Sequence, residues 1–355
     1  MKRLILVLLF LTNLSFAAQA QSVNELTEDE FKQWTAFIDS LAEKQQFSGI
    51  VFLADNGQVK FQRAYGLARR KPDVPNRLDT RVNIASMGKM FTAVIILQLA
   101  EQGKFSLDDT VAKVAPGLMR KEAAEKVKIK HLLNHTSGIE DQSSCGDWRN
   151  ELFPLEVIRP AKEPATEYYY NDLNFTILGA IIERVTGEDY FRYVQKQIFN
   201  RLKMNSTENY QGKLLPRSAI GYYSVEENGK LRFGTRFRPL TSRPSGGQYS
   251  TVQDLNIFLR ALITNKLLKP EMTRLMLTPK PELNNTRYGY GIQYFLDGKL
   301  VGHSGGEDVY PQDAWALTYP PTSYSLIVLS NLRTNLGDDS TARPIVTKLL
   351  NFIEK

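Results

Sequence analysis

Ser86 and Lys89 stand three residues apart at the mouth of the apolar stretch from Met90 to Leu97. On a helix, positions i and i+3 share a face, so the serine hydroxyl and the lysine amine are placed to meet. Near a helix N-terminus the positive end of the dipole disfavours a charged ammonium, and burial does the same. A lysine that has lost its proton can take one from serine and turn the hydroxyl into a nucleophile. Ser-x-x-Lys is a loose pattern that ordinary composition yields about once in a chain of this length. The spacing therefore needs partners elsewhere.

A second serine competes. Gly302-His303-Ser304-Gly305-Gly306 matches Gly-x-Ser-x-Gly, a nucleophile elbow that requires a helix directly after the serine and a later catalytic histidine. Glu307-Asp308-Val309-Tyr310-Pro311 follows instead, and the histidines, His131, His135 and His303, leave none beyond residue 303. Chain order excludes the elbow. One cysteine and three histidines assemble no zinc signature, so no metal is expected, and nothing in the chain calls for a cofactor. Cys145 has no intrachain disulfide partner and reads as incidental in a polar loop rather than as a catalytic thiol.

Between the two serines lies Glu167-Tyr168-Tyr169-Tyr170-Asn171-Asp172-Leu173-Asn174-Phe175. A tyrosine held beside an ammonium has its pKa lowered, because the positive charge favours phenolate. Such a tyrosine accepts or relays the serine proton. Three consecutive tyrosines also read simply as amphipathic packing at a lobe boundary.

The elements that must position these residues follow from periodicity. Thr27-Glu28-Asp29-Glu30 is a capping box ahead of Phe31, Trp34, Ile38 and Leu41, which predicts a helix to about Gln45. Two strands, Gly49–Ala54 and Gln58–Tyr65, flank the hairpin signal Asp55-Asn56-Gly57. From Ser86 the pattern turns helical, with apolar faces over Phe175–Val185, Tyr190–Phe199 and Leu255–Leu262, and a hairpin inserted around Asn228-Gly229. Strands return as Tyr288–Phe295, Lys299–His303, Ala314–Tyr319 and Tyr324–Ser330, and a helix with Pro344 in its first turn closes the chain. Short turns between strands imply antiparallel pairing. The expected fold is α+β: an antiparallel sheet made from both chain ends and flanked by the terminal helices, with an inserted, mostly helical lobe. Its expected bounds are 21–85 and 286–355 for the sheet lobe and 86–285 for the helical lobe, one discontinuous catalytic domain overall.

Taken together, Ser86-x-x-Lys89, Tyr-x-Asn/Asp before a helix, and His303-Ser304-Gly305 on a late strand resemble the serine β-lactamase and penicillin-binding-protein superfamily. The likeness is to its class C β-lactamase-like serine hydrolases. His131-Leu132-Leu133-Asn134-His135-Thr136-Ser137-Gly138, the segment Leu178–Gly187, and Gly246–Thr251 are also similar to stretches of that family. The resemblance implies Ser86 as acylated nucleophile, Lys89 as its close partner and Tyr170 as the proton-transfer tyrosine. Tyr170 keeps the family's nine-residue distance to Gly179, whereas a Tyr169 register would keep the family's asparagine at Asn171. In the Tyr170 register Asp172 stands where the family often has asparagine. A carboxylate there holds Lys89 charged and favours Tyr170 over Lys89 as the base. The backbone N–H groups of Ser86 and Gly306 are implied as the oxyanion hole, with Asp172, His303, Ser304 and Gly305 lining the substrate. His131 and His135 are expected to be structural. Where β-lactamases carry lysine in the third motif, this chain has His303, and Glu307 and Asp308 follow. A neutral imidazole attracts a substrate carboxylate less than an ammonium does, which argues against efficient β-lactam hydrolysis.

The chain of 355 residues is 42% hydrophobic and 23% charged, which suits a folded protein with a sizeable core. Lys2 and Arg3, an apolar run from Leu4 to Leu11 and Ala18-Gln19-Ala20 read as a secretory signal peptide over 1–20, giving a periplasmic or secreted product. Losing Lys2 and Arg3 lowers the net charge from +7 to +5, and the remaining basic residues are dispersed along the sequence, so nucleic acid is not an expected partner. No later apolar run is long enough for a transmembrane anchor. The expected activity is that of an exported serine hydrolase forming an acyl-enzyme on a small ester, peptide-like amide or cell-wall-derived substrate. A β-lactamase or D-amino-acid peptidase is the alternative within the class. A non-catalytic cell-wall peptide-binding protein of the same fold is the alternative outside it.

Overall fold

The computed structural model describes residues 26–139, 162–235, 241–280, 288–307, 310–320, 324–334 and 339–353. The leader, Cys145 and Asp308 lie outside them. In chain order the strands are β1 (Gly49–Asp55), β2 (Gln58–Tyr65), β3 (Leu67–Arg70), β4 (Asp73–Pro75), β5 (Val82–Asn83), β6 (Tyr222–Glu227), β7 (Lys230–Gly234), β8 (Tyr249–Ser250), β9 (Gln293–Phe295), β10 (Leu300–Glu307), β11 (Tyr310–Tyr319), β12 (Tyr324–Ser330), β13 (Leu332–Thr334) and β14 (Asp339–Ser340). The helices are α1 (Glu28–Glu43), α2 (Gly88–Glu101), α3 (Val111–Val114), α4 (Lys121–Lys126), α5 (Ile129–Leu133), α6 (Asp172–Thr186), α7 (Tyr190–Val194), α8 (Val252–Ile263), α9 (Pro270–Leu277) and α10 (Arg343–Ile353).

The central sheet has six strands in the order β2-β1-β12-β11-β10-β9. Its second and third strands join N- and C-terminal parts of the chain: β1 runs antiparallel to β12 with Val51 opposite Val328. Both faces are covered, which explains why β1 reads as an unbroken apolar run rather than an alternation. Ile50, Phe52, Ile327 and Leu329 face the large core that contains α2, α6 and α8. Val51, Leu53, Leu326, Val328, Trp315 and Leu317 face the other way, onto Trp34 and Ile38 of α1 and Ile345 and Leu349 of α10. Trp34 Nε1 donates to Ile345 O at 3.0 Å, tying the terminal helices together.

Local signals account for many boundaries. Thr27 and Glu30 form the reciprocal capping box that starts α1, an arrangement worth about 1 kcal/mol. Gly187 ends α6 at φ 70°. The inserted hairpin β6–β7 is present, and β6 docks parallel on β13 in a second sheet of order β14-β13-β6-β7. Three expectations change in extent. The strand expected over Tyr288–Phe295 contracts to β9, because Gly289 N bonds Ile292 O and turns the chain back on itself. β10 and β11 are longer than expected, each extended by pairing with the other that hydropathy does not register. The helix expected over Tyr190–Phe199 is α7 followed by a π turn over Gln195–Asn200.

Candidate active site

The nucleophile turn is built by close packing. Ser86 lies on the short 3-10 turn Ala85–Met87, immediately before α2. Asn83 Oδ1 accepts from Ala85 N at 2.8 Å and fixes the entry to that turn. α2 is apolar on every side and buried from Gly88 to Leu99, so it runs through the interior and carries Lys89 with it. A Cβ at Gly88 would come within 2.1 Å of Gln248 Oε1, and one at Gly305 within 2.3 Å of Ile84 O. Glycine at these two positions lets the 246–248 segment and β10 press against the turn. The neighbouring Gly306 is exposed.

Lys89 is completely buried, and each of its three N–H donors has an acceptor. Nζ donates to Ser86 Oγ at 3.0 Å, to Asp172 Oδ1 at 2.5 Å and to Ser245 O at 2.9 Å. Full burial works against the charge, but the Asp172 carboxylate, with the Tyr170 contact added to it, outweighs burial and holds Lys89 above its ordinary value. Lys89 is thus a fixed ammonium. Ser86 Oγ accepts from it, so the serine's own proton is directed elsewhere.

Tyr170 stands over Lys89, with the ammonium 4.9 Å from its ring centroid, and its hydroxyl interacts with Ser86 and Lys89. Tyr170 is 36% exposed as a residue, while its hydroxyl is enclosed. The expected lowering of a tyrosine pKa beside Lys89 is corrected here. Burial of the Tyr170 hydroxyl exceeds the pull of the ammonium, and its pKa is raised. At neutral pH the group is a phenol.

One residue fixes Tyr170 from both sides. His135 O accepts from Tyr169 N at 2.9 Å. His135 Nδ1 accepts from Asn171 N at 3.1 Å. The imidazole ring lies 4.4 Å from the Tyr170 ring at a tilt of 35°. Burial keeps His135 neutral, its pKa well below the ordinary value, and its backbone is held at φ 60°, a region that non-glycine residues enter only when surroundings impose it. Asn171 caps α6 through Leu173 N at 2.7 Å and donates to Ile139 O at 2.8 Å. Asn171 is therefore occupied by the scaffold, and Tyr169 is the more exposed tyrosine at 53%. The structure brings Ser86, Lys89, Tyr170 and Asp172 together.

The third motif lies within β10, with Ser304 mid-strand and no helix after it. Its backbone N and Oγ both donate to Gln293 Oε1, at 2.8 and 2.9 Å. His303 is completely buried. Tyr288 Oη lies 3.0 Å from Nε2, and Nδ1 lies 2.5 Å from Ser304 O. These partners fit the Nδ1–H tautomer, which donates to the carbonyl and accepts from the phenol. Burial, aided by the Lys89 charge, drives the His303 pKa down to about 3. His303 thus underlies the strand as a neutral group. The Arg333 guanidinium reaches Gly306 on the opposite face of β10, where a glycine Cβ would meet Nη2 at 2.2 Å. His131 also sits inside the protein, accepting from Lys128 N through Nδ1 at 3.2 Å.

The β-lactamase family model matches residues 34–350. The chain belongs to that family. Among curated relatives, Penicillin-binding protein 4* of Bacillus subtilis is 27% identical over 334 residues, covering 86% of this chain and 73% of its own length. Protein flp of Staphylococcus aureus is 28% identical, and the chain spans 64% of its length. Among solved structures, a penicillin-binding protein from Bacillus halodurans superposes with TM-score 0.72 at 26% identity, covering 87% of this chain and 98% of its own. A D-amino acid amidase from Ochrobactrum anthropi superposes with TM-score 0.74 at 22% identity, covering 92% and 98%, and shares the fold. The expected superfamily and α+β architecture are both found, and the chain is a serine hydrolase.

Several contributors to the site carry no signal in the sequence. Ser245 acts through its carbonyl, which every residue type has. Gln293 and Tyr288 are distant in sequence from the groups they hold. The motif around His135 reads as a turn, and it does not say whose flanks the residue clamps.

Proposed function

We propose that this chain is an exported serine hydrolase that acylates Ser86 on ester or peptide-like amide substrates. The observation that carries this reading is the buried Lys89 ammonium, joined at once to Ser86 Oγ and Asp172 and lying under the Tyr170 ring. Ser86 Oγ attacks the acyl carbon, and as its proton moves onto Tyr170 Oη the phenol's own proton moves in the same concerted step to the leaving-group oxygen or nitrogen, whose bond to carbon breaks without a doubly protonated tyrosine ever forming. This relay leaves Tyr170 a phenol before and after, as its raised pKa requires, and Lys89 stabilises the negative charge that develops between them. Water then reverses the relay to release the acid. Backbone N–H groups of Ser86 and Gly306 receive the carbonyl oxygen, each worth about 3–4 kcal/mol in comparable sites. Ser304 and Gly305 line the substrate, over a neutral His303. The reaction sits where the sheet-forming segments 21–85 and 286–355 meet the mostly helical segment 86–285. The leader over 1–20 directs the protein to the periplasm or the exterior.

His303 supplies no charge where the β-lactamases of the resemblance carry lysine. Short acyl esters are therefore expected to exceed a chromogenic cephalosporin by at least about 100-fold in kcat/KM, with D-Ala-D-Ala peptides between them. Side-by-side steady-state assays test this, and the reverse order for the cephalosporin would sink the substrate assignment.

The clamp on Tyr170 gives a second expectation. His135→Ala removes acceptor and ring together, and kcat for an ester should fall about 100-fold with KM within about twofold, because displacement of a relay group costs on that scale. In His135→Asn, Oδ1 occupies the place of Nδ1 and the residue tolerates positive φ, so most of the loss should be recovered. Equal losses in both variants would assign the effect to the imidazole stack instead of the clamp.

A further inference from the structure

Away from Ser86, the hairpin β3–β4 and the turn before β5 border a half-open recess of about 460 Å³ together with the segment at Ser218. Three arginines, Arg69, Arg77 and Arg217, are among the residues that line it, against a single acidic one, Asp79. These arginines are scattered in the sequence and there read as a diffuse basic surface. Folding gathers them.

The charges are unequally matched. Asp79 is shared between Arg217, at 2.7 Å, and Arg77, at 3.8 Å. Arg69 Nε donates to a neutral acceptor, Ser218 O, at 3.2 Å. In the Asp79 pairs the Arg77 and Arg217 side chains are 78% and 75% exposed and the carboxylate 46%, so the pairs are worth little in water and a better acceptor can displace them. The walls are held independently of those pairs. Arg81 N donates to Arg217 O at 2.8 Å, Ala219 N to Arg81 O at 2.8 Å, and Ile220 N to Ala68 O at 2.9 Å. Thr80 and Ser218 are buried beneath the arginines. Arg217 is itself held at φ 54°, in the left-handed region.

A preformed recess of ligand size with two surplus guanidinium charges has an anion as its complement, and the planar guanidinium fork matches the oxygens of carboxylate and phosphate. We propose that this cavity binds a multiply charged phosphate or carboxylate group, with Arg69 and Arg217 as its principal partners. The proposal is separate from the reading of Ser86, and its test uses no catalysis.

Isothermal titration of the full chain with inorganic pyrophosphate and with citrate, at about 20 mM salt, tests it. At least one probe should bind with 1:1 stoichiometry and weaken at least tenfold in the Arg69→Gln/Arg217→Gln double variant, with an unchanged melting temperature as the folding control. The tighter probe identifies the headgroup chemistry. Should the double variant fail to fold, phenylglyoxal modification of the wild-type protein, mapped by mass spectrometry, takes its place. The bound probe should then slow modification of Arg69 and Arg217 at least threefold relative to exposed Arg184. Absence of binding by both probes, unchanged affinity in the folded double variant, or unprotected Arg69 and Arg217 overturns the proposal.

Discussion

Lys89→Met is expected to lower ester hydrolysis about 10⁴-fold or more while the melting temperature falls by only a few degrees. Methionine fills the buried volume of the lysine stem, so the large core around α2 keeps its packing. What disappears is a charge with three fixed acceptors. Ser86 Oγ loses the donor that orients it, and the oxygens of Ser86 and Tyr170 lose the ammonium that stabilises the relay. Groups that act as a unit fail together, which sets the size of the loss. The folding penalty is small for two reasons. Asp172 keeps 42% side-chain exposure and can hydrate, and only Ser245 O is left unpaired inside, at about 1–3 kcal/mol. Esterase kinetics with thermal unfolding on one preparation checks both parts. A variant retaining a tenth of the activity would remove Lys89 from the mechanism.

Stability should decline steeply as pH falls from 6.5 towards 4.5, before carboxylate titration dominates. His131 and His303 are lowered to about 4 and about 3, and His135 well below its ordinary value, all chiefly by burial. Above pH 6.5 these residues are neutral in folded and unfolded chains alike, and the stability of the neutral folded form is fully present. Below it, the unfolded chain takes up protons that the folded one refuses, so stability is lost until the folded pKa values are reached. Each buried histidine contributes about 1.4 kcal/mol per pH unit in that window, so three together approach about 4. Urea unfolding between pH 4.5 and 7 measures the slope. His131→Asn, which preserves an acceptor for Lys128 N, should remove about one third of it; an unchanged slope would mean that His131 is already protonated in the folded protein.

How much of this was legible beforehand depends on the range of the forces involved. Elements set by neighbours in sequence read well: the Thr27–Glu30 capping box, the Asn56-Gly57 turn and the Gly187 stop all lie where local chemistry puts them. Short strands such as β3, β4 and β13 leave no mark in the sequence because three or four residues carry no periodicity, and their pairing partners supply the hydrogen bonds. α9 carries little helical signal because only Thr273 and Met276 of its residues are buried, and Pro270 at its start is the local mark it does carry. Within the site, Ser86 with Lys89 followed from helical spacing and Asp172 from the motif register. The protonation state of Tyr170 did not follow, because it depends on enclosure that the sequence does not express. The same holds for His303, whose neutrality comes from burial beneath β10 and from the distant Tyr288.

The most direct measurement is the site of acylation. The full chain is treated with a fluorophosphonate, its intact mass is read, and the modified peptide is mapped, with Ser86→Ala and Ser304→Ala in parallel. The account predicts one adduct, on Ser86, absent from Ser86→Ala and retained in Ser304→Ala. Full labelling of folded Ser86→Ala, or an adduct mapped to Ser304, would contradict it.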